Sequence, residues 1–516
     1  MFGVSYLRFI ALGAALVFVF SHCEKAPESP AYEPYPETKL DANGGAWKTY
    51  VLTSGSEIAV PAPKPPTSAE YLAELADLKQ YMANTTSEQK RLARWWGGNA
   101  VLRWHEIARE LAAEYNVPPN YNPDGKTYPE PDPNNPSKYP RFPFANPPYT
   151  ARALALLSVA QYDALVAAWH AKFQYKRLAP YKYDPAITPL IPANDLPSYP
   201  SEDAVVAVAS RELLKLLFPA EKEYLDRLAE EHIQSRLWAG ANVKSDLDAG
   251  RALGQAVANR VLAYAKSDGM AQAGDQSKMD SIRADAARRG IKEQWHSLDI
   301  PERPAMLPLF GCVKTWNFDE ATKIALRPPM PPMPGSPEYE RDLNELRYIS
   351  KNRTREQFRI AAYWADGPGS YTPPGHWNRR AAELIYEKQF NELRSARAMA
   401  LVNTALHDAG VTCWDVKYHY MIMRPTEADR SVKTSTSIPN FPAYTSGHST
   451  FSAAAAEVLS YLFPDHASDL QSMAREASLS RIYGCLHYRF DCEVGLEAGK
   501  KVAYYAIQRG RTDGSQ

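Results

Sequence analysis

Lys417 and Arg424 stand seven residues apart, Ser446-Gly447-His448 opens an apolar stretch, and Ser480-Arg481 is followed by His487 and Asp491. These residue types suit the binding and turnover of a tetrahedral oxyanion. Two turns of helix would bring Lys417 and Arg424 to nearly one face, with Pro425 ending that helix. Free amides at a helix N-terminus, a serine hydroxyl and a glycine that admits close backbone approach form an oxyanion cradle. Four residues separate His487 from Asp491, so on a helix the carboxylate can accept from one ring nitrogen and leave the other as nucleophile or ligand. Each part alone has a plainer explanation: a solvated cationic face, an N-cap, a surface His/Asp pair. Together they differ, because Lys417, Arg424 and Arg481 at about 5 Å and an effective dielectric near 20 would repel by about 3 kcal/mol per pair. Such a cluster calls for an anion, and the two histidines suit the trigonal-bipyramidal species on its reaction path.

The elements that must position these groups are helical. Residues 69–83, 89–115, 150–177, 202–237, 247–266, 378–409 and 447–462 carry apolar residues at three- and four-residue spacing, and alternating patterns are scarce. The fold class is all-α. An internal repeat organises it: Tyr199, Ser201, Glu212, Phe218 and Pro219 match Tyr444, Ser446, Glu457, Phe463 and Pro464, an offset of 444 − 199 = 245. The same offset relates Asp163, Trp169 and Lys172 to Asp408, Trp414 and Lys417, and Arg236, Asp246 and Gly250 to Arg481, Asp491 and Gly495. Two related bundles follow, residues 150–267 and 395–512. Where the second has Arg424, Gly447, His448 and His487, the first has Ala179, Glu202, Asp203 and Asn242. The first copy is therefore structural, and chemistry belongs to the second.

The chain has 516 residues, 59 Lys+Arg against 59 Asp+Glu, 45% apolar residues and 42 prolines. Disorder is excluded, and balanced charge removes the electrostatic case for a nucleic-acid partner. Arg8 followed by the apolar residues 9–20 and Ser21-His22-Cys23 reads as a lipoprotein-type signal, residues 1–22, too short for a spanning helix. Residues 23–66 read as a flexible tether, 67–270 as the degenerate bundle, 271–377 as a connecting segment and 378–516 as the catalytic bundle. The body is then exported, to the periplasm or outer membrane through a lipid on Cys23; an uncleaved anchor or ordinary secretion, with the protein at the cell surface or released, are the alternatives. Cys312, Cys413, Cys485 and Cys492 remain, an even number that permits disulfides.

Lys417-x6-Arg424-Pro425, Ser446-Gly447-His448 and Ser480-Arg481-x5-His487-x3-Asp491 resemble the three-part motif shared by type 2 phosphatidic acid phosphatases, soluble bacterial acid phosphatases and vanadium-dependent haloperoxidases. Asp408-Ala-Gly, Phe441-Pro-Ala-Tyr444, His487-Tyr-Arg-Phe-Asp491, Tyr363-Trp-Ala-Asp366-Gly, Thr372-Pro-Pro and Asn378 look most like the haloperoxidase branch. The resemblance implies that His487 binds vanadium axially, that Lys417, Arg424, Ser446, the Gly447 amide and Arg481 hold the vanadate oxygens, and that His448 is the acid/base. It further implies that Asp491 orients His487 and that Asp366 pairs with a ligand arginine. Hydrogen peroxide and halide would be the partners. The phosphatase alternative needs no cofactor: His487 attacks a small phosphate ester to form a phosphohistidine, and His448 protonates the leaving group. Thr445 and Met423 depart from the family's usual Pro and Trp, and Phe441 and Trp414 are candidate pocket walls.

Overall fold

The computed structural model describes residues 32–36, 39–129 and 143–516; the signal segment and Cys23 lie outside them. An N-terminal layer of α1 (Ala69–Ala83), α2 (Ser87–Trp96) and α3 (Ala100–Tyr115) leads into α4 (Pro147–Tyr175), α5 (Pro180–Tyr183), α6 (Glu202–Leu217), α7 (Lys222–Trp238) and α8 (Lys244–Ala265). After α9 (Met279–Arg288), α10 (Glu320–Leu326), α11 (Pro337–Asn352), α12 (Arg355–Tyr363) and α13 (Thr372–Glu387) the pattern returns. It does so as α14 (Glu392–Tyr420), α15 (Pro425–Ala428), α16 (Gly447–Leu462), α17 (Ala467–Tyr483) and α18 (Arg489–Arg511). No strand occurs among the described residues; Gln294 and Ile422 form a lone bridge.

The repeat holds at the level of single caps. Asn146 and Asn391, 245 apart, cap α4 and α14 by accepting from Tyr149 N and Arg394 N. Both 29-residue helices end on a left-handed residue, Lys176 at φ 53° and Met421 at φ 51°. Ser201 and Ser446 cap α6 and α16, and the peptide bonds Tyr199–Pro200 and Tyr444–Thr445 just before them are both cis. Close packing explains the repeated glycines: a Cβ at Gly499 would lie 2.3 Å from the Thr450 carbonyl oxygen, and one at Gly254 2.7 Å from that of Val205. The α4 and α14 helices cross at the centre, where Asn403 donates to the hydroxyl of its own repeat-mate Ser158 at 2.9 Å. Here Asn378 belongs to a buried polar network, bonded to Arg109, His105 and Asn403, and not to the site.

Several boundaries differ from the periodicity. Residues 89–115 are two helices, because Asn99 at φ 78° caps α3 and Gly98 packs against the Tyr32 carbonyl. Residues 378–409 likewise break where Gln389 takes φ 51° ahead of the Asn391 cap. The expected tether is in large part packed: the carboxylate of Asp163 accepts from the amides of Tyr50, Val51 and Leu52, and Trp47 is buried. Asp408 does the same in the second copy for Trp316 and Asn317, so each long helix staples an outside segment with a buried carboxylate. Burial lifts both carboxyls, Asp163 to about 6 and Asp408 to about 7. The N-terminal run is not alone in raising a membrane question, since α4 is long and apolar enough to span one, but its apolar window is wholly buried as a core helix. The four cysteines of the body are unpaired thiols, not disulfides.

Candidate active site

His487 and Asp491 meet, though not along a helix face. His487 precedes α18, Tyr488 is the N-cap, and Asp491 at the third helical position accepts from Tyr488 N at 3.1 Å. The same oxygen takes His487 Nδ1–H at 2.9 Å. That bond fixes the tautomer and leaves a lone pair on Nε2, to which Arg424 Nη1 donates at 2.9 Å. Burial, then the cations Arg424, Lys417 and Arg481, hold the His487 pKa far below the ordinary histidine value, so the ring is neutral. Asp491, also buried, is pushed up to about 7.

Lys417 and Arg424 do not share a helix face either. The left-handed turn at Met421 ends α14, the chain bridges to Gln294 through Ile422, and Arg424 lies in extended backbone ahead of Pro425, which starts α15 instead of ending a helix. The seven-residue spacing therefore works through a reversal. Lys417 Nζ donates to the carbonyls of Pro442, Ala443 and Thr445 at 2.8, 2.9 and 2.5 Å. Arg424 donates to the carbonyls of Phe441 and Leu486. Both cations also sit over the Phe441 ring, at 4.8 and 4.9 Å. Lys417 thus bonds only the 442–445 carbonyls and acts on the site as charge, whereas Arg424 also touches His487 Nε2 directly.

Ser446, buried, accepts from Ser449 N at 3.3 Å as the cap of α16, which leaves Gly447 and His448 in the first turn. The His448 pKa is depressed well below normal by burial and then by Arg481; the carbonyls of Trp364 and Ala365 bond the ring and partly oppose this. Its Nε2 is buried with no hydrogen-bond partner. Arg481 donates Nη1 to the Trp364 carbonyl at 3.4 Å, and its Nε is likewise unpartnered. Among the described residues Asp366 pairs with no arginine: both its oxygens lie 3.3 Å from His376 Nδ1, and its left-handed backbone at φ 43° turns it toward α13. Its charge still reaches Arg481 through space.

The first copy is an internal control. There Glu202 stands at the Gly447 position and bonds Lys172 at 2.6 Å, while Asp203, at the His448 position, contacts Arg236 at 3.7 Å and His232 at 2.9 Å. Two carboxylates thus neutralise Lys172 and Arg236, the repeat-mates of Lys417 and Arg481. In the second copy, Lys417, Arg424 and Arg481 form no ion pair among the described residues. Burial drives their pKa values down, Lys417 to about 7 and both arginines to about 10. A bound oxyanion would supply the countercharge and keep Lys417 protonated. Affinity for a tetrahedral dianion such as tungstate should therefore be full below pH 7 and fall by up to tenfold per unit above it, read by calorimetric titration. A flat profile from pH 6 to 9 would remove Lys417 from the account.

A cavity of about 440 Å³ opens onto Gly447, His448, Arg481 and His487, with Trp414, Phe441 and Phe451 as aromatic walls. Its outer wall includes Asn116 and Phe144 from the other half of the chain. Trp414 and Phe441 pack at 4.8 Å and so serve as wall and core together. Asn116 and His376 have no counterpart in the sequence motifs; the Trp364-Ala-Asp366-Gly segment beside them was the available signal.

The family model of the PAP2 superfamily matches residues 397–512, the segment that holds the predicted site residues except Asp366, and the chain shares the helical fold of solved vanadium haloperoxidases over 70% of its length. A solved structure of a bacterial vanadium-dependent iodoperoxidase superposes with a TM-score of 0.56 at 22% identity, covering 70% of this chain and 91% of that one. A bacterial vanadium-dependent chloroperoxidase gives 0.50 at 15% identity, over 75% and 97% of the two chains. In sequence, the vanadium chloroperoxidase of Curvularia inaequalis is 30% identical over 177 residues, 28% of this chain. The match spans 27% of that relative's length.

Proposed function

We propose that this protein is a vanadate-dependent haloperoxidase-like enzyme that oxidises halide with hydrogen peroxide. The observation that carries the reading is that Gly447, His448, Arg481 and His487 line one cavity, with Arg481 free of any ion pair among the described residues and a neutral His487 whose Nδ1–H is fixed by Asp491. These residues fit vanadate. His487 Nε2 would hold the metal, the Gly447 amide, Arg481 and Arg424 its oxygens, and Lys417 would balance its charge. Bound there, vanadate supplies a Lewis-acidic centre that activates peroxide toward halide. Asp491 keeps the His487 lone pair aimed at one point. His448 takes a proton from the incoming peroxide and returns it to the departing oxygen; its depressed pKa keeps the resting ring neutral, able to accept, and favours the return.

The resemblance to named haloperoxidases, over the repeat as well as the motif, supports this reading over hydrolysis. The same neutral His487, its Nδ1–H fixed by Asp491, favours a second reading, a phosphatase that attacks phosphorus at Nε2. One assay separates them: iodide- or bromide-dependent peroxide consumption with and without orthovanadate, beside hydrolysis of a chromogenic phosphate ester. Vanadate-activated halide oxidation is the expected result. Ester turnover that vanadate inhibits, without halide oxidation, assigns the protein to the phosphatases.

A further inference from the structure

The cavity is larger than peroxide and halide require. The oxygens of one vanadate, a peroxide and a halide come to about seven water-sized atoms, roughly 210 Å³ at about 30 Å³ each, against a cavity of about 440 Å³. About half of the space is left over. Apolar cavities of this size with a few polar groups are where proteins hold organic molecules.

The walls of that space are aromatic and fixed in place. Phe144, Trp295, Trp414, Phe441 and Phe451 line it, and all but Phe144 are buried. One side is the connecting segment 295–306, bonded to the elements of the site. Trp295 N donates to the Met421 carbonyl at 2.8 Å, His296 N to Glu427 at 2.7 Å, and Trp414 Nε1 to the Met306 carbonyl at 3.1 Å. Glu427 also accepts from Arg424 N at 2.7 Å, so the wall and the anion cradle share one carboxylate. Another side comes from the degenerate half, where the buried Asn116 donates to the carbonyls of Gly367 and Ser370, each at 2.9 Å, across about 250 residues of chain. Walls bonded in this way are formed before a guest enters, which keeps the ordering cost of binding low.

The charges on the wall are already matched. Arg303 pairs with Asp299 at 2.8 Å, and Asp366 with His376 at 3.3 Å. Apart from Arg481, which the oxyanion takes, no unpaired Lys or Arg lines the cavity among the described residues. A carboxylate here would lose its water and gain no partner, whereas an uncharged ring gains aromatic contacts. We propose that the cavity binds the organic acceptor, an uncharged electron-rich arene of phenol or indole size, and that the arene is halogenated while held there, not by hypohalous acid released to solution. The inference rests on the haloperoxidase reading. The two electrons that halide gives up cleave the O–O bond of peroxide, and the halogen then acts as an electrophile on a ring carbon. There the carbon–halogen bond forms, the C–H bond breaks and its proton passes to water. In sum, arene, halide, hydrogen peroxide and one proton give the haloarene and two waters.

The test supplies the full chain with orthovanadate, peroxide, bromide or iodide, and an equimolar pair of acceptors, 4-methylphenol and 4-hydroxybenzoate, both halogenated beside the hydroxyl. Their product ratio is compared with that given by reagent hypohalous acid of the same halide in the same buffer. The enzyme's ratio should favour 4-methylphenol by about fivefold or more over the reagent's. Phe144→Ala should bring the ratio back toward the reagent's, and Leu298→Lys, on the half-buried part of the same wall, should turn it toward the carboxylate. Either variant suffices should the other not fold. Without vanadate, saturation-transfer NMR should show 4-methylphenol bound to the parent, and about fivefold more weakly to Phe144→Ala. A reagent-like ratio in the parent, with halide oxidised, would overturn the inference and leave the haloperoxidase reading intact, as would the absence of 4-methylphenol binding. A selective parent whose ratio neither variant moves would also overturn it, since the choice is then made elsewhere. No halide oxidation in any arm would overturn the reading itself and the inference with it.

Discussion

Alanine at His487 is expected to reduce turnover by about a thousandfold or more, in whichever reaction the protein performs, because the Nε2 lone pair is the one group both readings require in contact with the reacting centre. The fold should survive. Asp491 still caps α18 through Tyr488 N at 3.1 Å, and Arg424 still has the carbonyls of Phe441 and Leu486. A melting temperature within a few degrees of the parent, tungstate binding retained by the remaining cations, and activity near background would together place the loss in chemistry. Parent-level kcat in the folded variant would mean that the site lies elsewhere.

Alanine at Glu202 should do the reverse, destabilising the protein without touching the cavity. The carboxylate is the partner of the fully buried Lys172 at 2.6 Å. Removing one member of a buried pair costs about 3 kcal/mol, since the other is left charged in a poor solvent. The melting temperature should fall by several degrees, and phosphate or tungstate should restore part of it in the variant more than in the parent, because the buried Lys172 is then left without its countercharge. No change in melting temperature would show that Lys172 needs no built-in countercharge, and the comparison between the two copies would lose its force.

The repeat and the site's membership were legible because both rest on residue identity at fixed offset. Helix bounds within each copy follow from capping Asn and Ser residues at matching positions. What the spacing misread was local geometry. Seven residues from Lys417 to Arg424 and four from His487 to Asp491 suit a helix, yet one pair is separated by a left-handed turn at Met421 and the other by an N-cap at Tyr488. Methionine and tyrosine at those places carry no signal for such turns. Asp366 was placed near the right arginine and given the wrong partner, since nothing in the sequence ties it to His376. Asn116 was invisible for a different reason. Its contacts lie about 250 residues away, beyond any periodicity, in a half of the chain that the comparison of copies had set aside as structural.

The bond between Ser158 and Asn403 has an implication for history and for tolerance to change. Residues related by the offset meet each other only on a twofold axis, so the contact between α4 and α14 is isologous, the geometry of a symmetric dimer built into one polypeptide. Such an interface asks the same helix face of both halves but makes no demand on loop chemistry at their far ends. One catalytic centre could therefore decay to Glu202 and Asp203 while the helices around it stayed under full constraint as the other centre's partner subunit.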